Sequence, residues 1–385
     1  MHLLWIISLS LLAAYALLIF IYSIGWQRLS GKSREISEET PGISLVIPVR
    51  DEENNIGLLL EDLVQQEYPT DAFEIIIVDD HSADNTPEIV RTYREKHHEL
   101  RLISLLPTES GKKAALQKGI ENASHSLILT TDGDCRVSSG WVAGMMAGFS
   151  DPRVRMMIGT VIFSPERGIF ASMQSLEFFS LTAVTAGTTG LGDPILCSAA
   201  NLGYYRDDYL EFLNQKAKVS ESGDDIFMLM WLKKQKRGSI RFSASTSTVV
   251  NTLPAESLIS FLSQRIRWTS KSRYYRDFHL IISAFLVFGM NVLLLAILLA
   301  GIWESKCILL FAILFMAKSA VDLLFLAPVL RHHGKVRLLR VFILLEIVYF
   351  VYVSLIGLFG QFLSFSWKGR KSPTFRQNKS IGKGH

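Results

Sequence analysis

Between residues 43 and 131 the chain alternates short apolar runs with stretches in which apolar residues recur at helical spacing. The continuous runs predict buried β-strands at residues 43–49, 73–78, 100–105 and 127–131. Helices are predicted between them, at residues 55–66, 87–98 and 112–123. Strands that alternate with helices imply βαβ units, so we predict an α/β fold with a largely parallel sheet covered on both faces.

Polar residues follow three of these strands, at the sheet edge where α/β proteins bind ligands. Arg50-Asp51-Glu52 follows the first strand, Asp79 and Asp80 follow the second, and Asp132-Gly133-Asp134 follows the fourth. Because alternate side chains of an extended backbone face the same way, the carboxylates of Asp132 and Asp134 can converge on one point. Such hard oxygen ligands suit Mg²⁺ or Mn²⁺, although an Asp-Gly pair is also common in solvated turns.

Four longer apolar segments lie outside this region, at residues 3–26, 280–303, 307–330 and 341–365. Each reaches the length of about 20 residues that crosses a bilayer. A mean hydropathy of +0.26 for the whole chain agrees with membrane segments. Positive residues follow the first segment rather than precede it. We therefore interpret residues 1–27 as an uncleaved transmembrane anchor whose C-terminal side faces the cytoplasm.

The α/β domain is assigned to residues 43–255 and placed in the cytoplasm. Its second half is less regular than its first, and the glycine- and threonine-rich residues 187–192 predict a mobile loop. Three scattered cysteines form neither a disulfide framework nor a paired metal motif, which fits a reduced compartment. No Gly-x-Gly-x-x-Gly follows the first strand, which disfavours a dinucleotide-dependent dehydrogenase.

The C-terminal part combines basic and apolar sequence. Residues 256–277 predict an amphipathic, arginine-rich helix that should lie at the membrane interface. Residues 278–367 form the membrane region, and residues 368–385 form a basic tail. A third crossing would place this tail outside the cytoplasm, against the positive-inside rule, so two or three C-terminal transmembrane helices remain open.

Charged residues have two further consequences. The net charge of +4 does not indicate nucleic-acid binding, because the basic residues lie mainly beside apolar segments, where membrane orientation explains them. Lys318, Asp322 and Glu346 lie within the C-terminal apolar segments. Ionisable groups in such segments usually face the protein interior, so we predict that these three pair with one another.

Several motifs, taken in order, resemble those of family 2 glycosyltransferases. Residues 44–52 and 77–86, which read SLVIPVRDE and IVDDHSADNT, look like the opening motifs of that family. Residues 132–134 are similar to its D-x-D metal motif, and Gly223-Asp224-Asp225 stands where the family has an acidic motif. Residues 264–268, which read QRIRW, reproduce the Q-x-x-R-W signature of the membrane-embedded branch.

The resemblance implies a GT-A fold, a Rossmann-like sheet that binds a nucleotide-sugar donor together with a divalent Mg²⁺ or Mn²⁺ ion. Asp134 is the better candidate for direct coordination of the metal, with Asp132 also at the metal and touching the donor's sugar or ribose. Lys112, at the start of the third predicted helix, either approaches donor phosphate or lies on a solvated face. The predicted donor-binding residues are Pro48, Glu52, Asp79, Asp80, Lys112, Asp132 and Asp134.

Asp225 occupies the family's base position, where a carboxylate deprotonates the acceptor hydroxyl in an inverting transfer. An acidic start of a helix is the simpler interpretation of Asp224-Asp225, and both interpretations can hold together. Asp224, Gln264, Arg267 and Trp268 are assigned to the acceptor and the diphosphate. For the last three, an interfacial helix with a membrane-belt tryptophan is the alternative.

The resulting hypothesis is an integral membrane protein, in the inner membrane of a cell, with a cytoplasmic glycosyltransferase domain. It would transfer a single sugar to a lipid or lipid-linked acceptor and would not bind nucleic acid. A processive polysaccharide synthase is the first alternative. A non-catalytic membrane protein with a degenerate nucleotide-binding domain is the second.

Overall fold

The computed structural model of the protein describes residues 2–30, 40–216, 224–235, 240–360, 366–367 and 370–371. Most of the predicted basic tail at residues 368–385, and Gly223 of the acidic motif, lie outside these ranges. The chain divides into two compact units. The sheet unit comprises Tyr22–Pro165 and Phe178–Leu253, and the helical unit comprises Met1–Ile21, Glu166–Glu177 and Pro254–His385.

Seven of the described strands of the sheet unit form one mixed sheet. Seven strands lie in the order β3-β2-β1-β4-β7-β5-β8. Their bounds are β1 Ile43–Val49, β2 Phe73–Asp79, β3 Leu100–Ser104, β4 Leu127–Thr130, β5 Met156–Gly159, β7 Leu202–Tyr205 and β8 Ile240–Ser243. The first four strands pair in parallel, whereas β7 runs antiparallel to both β4 and β5. The prediction of an α/β fold with a largely parallel sheet is confirmed.

Helices cover both faces of this sheet, as the strand–helix alternation predicts. Their bounds are α2 Ile56–Val64, α3 Thr86–Arg94, α4 Lys112–Glu121, α5 Trp141–Met146, α7 Arg206–Lys216 and α8 Asp224–Gln235. The apolar sides of α2 and α5 share one buried cluster with Leu45 and Ile47 of β1. On the opposite face, a side chain at Gly119 of α4 would collide with Val46 and Val78. Side chains on a strand alternate between the two faces, so the near-continuous apolar sequence of β1 serves both layers.

A smaller pair of strands joins two distant parts of the sheet unit. β6, Val161–Phe163, pairs in parallel with β9, Val250–Thr252. Beside this pair, Arg136 forms an isolated bridge with Asn251, and each backbone N–H donates to the other's carbonyl oxygen. The segment that follows Asp134 is therefore held by the β9 strand. Near the C-terminus, β10, Ser366–Trp367, pairs with β11, Arg370–Lys371.

Within the described part of the chain, four helices are long and apolar enough to cross a membrane. The candidate spans are His2–Leu29, Phe278–Ala300, Ser305–His332 and Val336–Phe359. The corresponding helices are α1 His2–Ser30, α10 Phe278–Ala300, α11 Ser305–His332 and α12 Phe342–Phe359. One of these helices is N-terminal and three are C-terminal. The sequence left two or three C-terminal helices open, and three are found. The predicted interface segment, residues 256–277, forms α9, Leu258–Thr269, and a short turn at Ser272–Tyr274.

The prediction of a mobile loop at residues 187–192 is wrong. Gly187 and Gly190 belong to the last turns of α6, Gly168–Gly190. A Cβ atom at Gly25 of α1 would lie 1.9 Å from the carbonyl oxygen of Gly187, and one at Gly190 would lie 2.0 Å from that of Gly25. The glycines are needed because the two helix backbones approach closely, as small residues permit at helix crossings.

The three ionisable residues of the C-terminal helices pair with one another, as predicted. Lys318 of α11 is 1% exposed, and its ammonium lies 2.7 Å from carboxylate oxygens of both Asp322 and Glu346. The phenolic hydroxyl of Tyr15 in α1 donates to Asp322 at 2.5 Å. These contacts connect α1, α11 and α12 within the helical unit.

Replacing Lys318 with Met should destabilise the protein by about 3–5 kcal/mol, because two buried carboxylates then lose their counter-charge. Unfolding of the detergent-solubilised protein by heat or by increasing SDS measures the change. Lys306→Met is the matched control, since it makes the same substitution at an exposed position of α11. Neutralising Asp322 and Glu346 as well, to Asn and Gln, should restore most of the stability. A Lys318→Met variant as stable as the parent protein would contradict a stabilising role for the pairing.

Candidate active site

The Asp132–Asp134 motif lies directly after β4, at the carboxyl end of the central strands. The backbone turns here, with the N–H of Cys135 donating to the carbonyl oxygen of Asp132 at 3.1 Å. The Thr252 hydroxyl donates to Asp134 Oδ2 at 3.3 Å, so the end of β9 orients this carboxylate. Burial, helped by the nearby negative charges of Asp132 and Glu52, raises the pKa of Asp134 to about 6. A positive ion close to Asp134 would favour its charged form and so offset this rise in its pKa.

Gly133 lets this motif approach the end of β1. A Cβ atom at this position would lie 3.0 Å from Val49 Cγ1 and 3.1 Å from Glu52 Cγ. The backbone N–H of Glu52 donates to the Thr86 hydroxyl at 2.8 Å, which fixes the turn after β1. Glu52, predicted from sequence to contact the donor, therefore lies beside the metal motif.

Asp79 and Asp80, at the end of β2, have different surroundings although both are buried. The Asp80 carboxylate accepts the Gly111 N–H at 3.0 Å and lies 3.8 Å from the Arg50 guanidinium. It thereby ties β2 to the start of α4. Among the described residues, the Asp79 carboxylate accepts long hydrogen bonds from the Ser82 N–H, at 3.3 and 3.4 Å. Of the two, Asp79 is the better candidate for contact with a ligand.

Two adjacent lysines open α4 and contact two different acidic motifs. The Lys112 ammonium donates to Asp132 of the metal motif. The Lys113 ammonium lies 3.1 Å from Asp224, at the start of α8. Sequence reasoning placed Lys112 near the donor but assigned no role to Lys113. The only local signal for Lys113 is its position next to Lys112 in the first turn of a helix.

Asp225 lies in the first turn of α8, so the acidic motif is also a helix start. Its Oδ2 accepts the Ala199 N–H at 3.2 Å, whereas Asp224 is directed to Lys113. The two adjacent carboxylates therefore point to different partners. Asp225 is partly exposed, which leaves it accessible to an acceptor hydroxyl.

Asn201 holds the segment that contacts Asp225. It is completely buried, accepts a hydrogen bond from the Trp141 indole at 3.0 Å, and donates to the carbonyl oxygens of Thr160 and Thr248 at 2.9 and 2.7 Å. The Thr130 hydroxyl at the end of β4 donates to the Ala199 carbonyl at 2.7 Å. The same short segment thus connects the strand before the metal motif with Asp225. Because Asn201 is completely buried, it positions this segment through packing and hydrogen bonds and does not contact a ligand itself.

Gln264, Arg267 and Trp268 lie on α9, in the helical unit. Their predicted contacts with acceptor and diphosphate stay predictions. Within the helical unit, Arg265 of this motif is 3% exposed and forms a two-pronged ion pair with Glu177 of α6.

The donor set of the metal motif fits a divalent cation that is bound together with a substrate. Among the described residues, no group of three or more His, Cys, Asp or Glu side chains is arranged to hold a metal. Mg²⁺ is typically held by one or two carboxylates together with substrate phosphates rather than by an all-protein cage. Asp132 and Asp134, with the raised pKa of Asp134, match that chemistry.

Comparison with known protein families agrees with this geometry. Residues 44–211 match the model of the family described as Glycosyl transferase family 2. Residues 44–211 form a family 2 glycosyltransferase domain. This glycosyltransferase domain contains β1, β4 and the Asp132–Asp134 motif. Residues 215–376 match a second family model, Glycosyl transferase family 21, which covers Asp225 and α9.

Curated relatives align with parts of the chain only. Glycosyltransferase AglE of Haloferax volcanii is 31% identical over 148 residues, covering 36% of this chain and 48% of the relative. Dolichyl-phosphate beta-glucosyltransferase ALG5C of Trichomonas vaginalis is 38% identical over 97 residues, covering 24% of this chain and 28% of the relative. Poly-beta-1,6-N-acetyl-D-glucosamine synthase of Staphylococcus epidermidis is 28% identical over 145 residues, covering 37% and 34%. The chain spans less than half the length of each.

A solved structure shares the fold over most of the chain. Mannosyltransferase PcManGT from Pyrobaculum calidifontis, solved in complex with GDP-Man and Mn²⁺, aligns with a TM-score of 0.56 at 17% identity. The alignment covers 92% of this chain and 99% of that structure. The glycosyltransferase domain therefore has the GT-A type of fold that its motifs predict.

Proposed function

We propose that the protein transfers a single sugar from a nucleotide-sugar donor to a lipid or lipid-linked acceptor at a membrane surface. The observation that carries this proposal is the pair of carboxylates at Asp132 and Asp134, at the end of the central strands of a family 2 glycosyltransferase domain. Four helices that are long and apolar enough to cross a bilayer support a membrane-bound acceptor.

The proposed chemistry assigns a separate task to each acidic motif. A Mg²⁺ or Mn²⁺ ion at Asp134 and Asp132 would neutralise the charge that develops on the departing nucleoside diphosphate. Asp79 binds the nucleobase or ribose, while Pro48 and Glu52 complete the donor side and Lys112 is placed to contact the donor phosphates.

Asp225 receives the proton of the acceptor hydroxyl as that oxygen attacks the anomeric carbon, and the transfer inverts the configuration there. The Ala199 N–H donates to Oδ2 of this carboxylate and the Ile226 N–H donates to Oδ1 at 2.9 Å, so both oxygens are oriented, and each keeps a further lone pair that can take the proton. On the motif resemblance, Asp224, Gln264, Arg267 and Trp268 serve the acceptor and the diphosphate. An arginine suits phosphate because its guanidinium can donate two parallel hydrogen bonds.

The positive residues after the first apolar segment support a cytoplasmic catalytic domain, and a location in the inner membrane of a cell is part of the proposal. The name of the Trichomonas vaginalis relative, a dolichyl-phosphate glucosyltransferase, supports a lipid-linked acceptor. The name of the Staphylococcus epidermidis relative, a polysaccharide synthase, supports the processive alternative. Product length therefore has to decide between the two.

The test is donor turnover by the purified protein in lipid nanodiscs, with each UDP- and GDP-sugar and with Mg²⁺ or Mn²⁺. Adding a lipid extract supplies the acceptor, and EDTA supplies the metal-free control. One sugar added to an extractable lipid, only in the presence of metal, is the expected result. A ladder of sugar polymers would show the processive synthase. If the protein neither binds nor turns over any donor, the result would favour a degenerate nucleotide-binding domain.

A further inference from the structure

Arg265 occupies an unassigned position within the Gln264–Trp268 motif, yet it is the most deeply buried residue of that motif. Its guanidinium makes two hydrogen bonds to the Glu177 carboxylate, from Nε at 3.1 Å and from the terminal nitrogen Nη2. The Tyr352 hydroxyl of α12 donates to the same carboxylate at 2.9 Å. Arg265 thus anchors α9 to both α6 and α12 within the helical unit.

The same guanidinium contacts two aromatic rings of its own helix. Its central carbon lies 4.2 Å from the ring centroid of Trp268 and 4.5 Å from that of Phe261. Phe261 and Trp268 lie four residues before and three residues after Arg265, so all three share one face of α9. A planar guanidinium stacks on aromatic rings in a way that a lysine ammonium cannot reproduce. One face of the Trp268 indole is therefore covered by Arg265, and a sugar could stack only on the opposite face.

Arg265 also sets the orientation of the Gln264 amide. Its remaining terminal nitrogen, Nη1, donates to Gln264 Oε1 at 2.5 Å. Because the guanidinium has only donors, it must meet the amide oxygen, and the amide NH₂ is then directed elsewhere as a donor. A donor at this position suits an oxygen-rich ligand such as a phosphate or a sugar hydroxyl.

We propose that Arg265 is a positioning residue for the Gln264–Trp268 motif, an inference that rests on the proposed glycosyltransferase function. One guanidinium, fixed by Glu177, orients the Gln264 amide as a donor and holds the Trp268 ring. Arg265 need not touch the substrate to do this. The alternative is a purely structural ion pair, which would affect stability and leave catalysis by the folded protein unchanged.

Arg265→Lys tests the proposal, because it keeps the charge but loses the planar fork. We expect kcat/KM per folded molecule to fall on the order of 10–100-fold, as displaced positioning groups cause elsewhere. Tyr352→Phe is the matched control, since it weakens the same Glu177 anchor without touching Gln264 or Trp268. This control should lower the melting temperature and leave kcat/KM of the folded protein unchanged.

A double-mutant cycle with Trp268→Ala separates the positioning role from an independent one. If Arg265 acts through Trp268 and Gln264, Arg265→Lys should lower kcat/KM much less in the Trp268→Ala background than in the parent protein. Equal costs in the two backgrounds would overturn the proposal. So would an Arg265→Lys variant whose kcat/KM per folded molecule equals that of the parent.

A spectroscopic measurement keeps the test independent of activity. Protein labelled with 5-fluorotryptophan gives a ¹⁹F resonance for Trp268, identified by its loss in Trp268→Phe. This resonance should shift in Arg265→Lys and stay in place in Lys306→Met, which changes an exposed side chain of α11. An unshifted resonance in Arg265→Lys would show that Arg265 does not hold the ring. If the Trp268 resonance shifts but no donor is turned over, the proposed function is refuted, whereas the contact between Arg265 and Trp268 still stands.

Discussion

Asp225→Asn should lower kcat by roughly 10²–10⁴-fold, the contribution typical of a general base. Asparagine has almost the same shape, and its amide oxygen can still accept the Ala199 N–H, but it cannot receive a proton from the acceptor. Donor binding should therefore persist while transfer is lost. Single-turnover transfer to the lipid acceptor, together with calorimetric binding of the nucleoside diphosphate, measures both quantities.

Asp207→Asn is the matched control for this substitution. Asp207 also lies in the first turn of a helix, α7, but it is exposed and outside the acidic motif. Its replacement should change kcat by less than about twofold, as surface substitutions usually do. Retention of full transfer activity in Asp225→Asn would assign the base to another residue.

Asp134→Asn should remove the metal dependence of donor binding and lower kcat at least about 100-fold, the scale seen when one electrostatic stabiliser is deleted. The reason is that an amide has no negative charge to hold the cation, and the Thr252 hydroxyl fixes the orientation of the Asp134 carboxylate. Titration of Mn²⁺ into the protein with a nucleoside diphosphate, followed by thermal stabilisation and by the electron paramagnetic resonance of free Mn²⁺, measures the change.

Asp132→Asn distinguishes the roles of the two carboxylates. It also removes the negative charge that pairs with Lys112, so it should weaken donor binding more than it weakens the response to metal. The assignment of direct coordination to Asp134 fails if Asp132→Asn abolishes metal binding while Asp134→Asn retains it.

The first half of the sheet unit follows closely from local sequence. The predicted strand at residues 43–49 is found with the same bounds, and the other three end within one residue of their predicted positions. These strands are continuous apolar runs that end in polar residues, so burial and strand length are encoded within a few neighbouring positions. The Asp132–Asp134 motif stands out in the sequence because it directly follows such a run, although the structure places it in a turn after β4 rather than on extended backbone.

Features that depend on distant partners could not be predicted from local patterns. Gly187 and Gly190 indicate a loop when only their neighbours are considered, and the reason for them is the close passage of Gly25 in another helix. Lys113 gains its partner Asp224 only through the packing of α4 against the start of α8. Arg265 is one of several arginines in a basic segment, and its burial depends on Glu177, which lies far away in sequence.

The close crossing of α1 and α6 also bears on how the enzyme could be prepared without its candidate membrane-spanning helices. Tyr22–Ser30 of α1 belongs to the sheet unit, and Tyr22 and Trp26 are almost completely buried. A fragment that starts at residue 40 would uncover the glycine surface of α6 at Gly187 and Gly190. A water-soluble catalytic fragment would therefore have to keep the last two turns of the anchor helix or replace them with a helix that carries a glycine at the crossing.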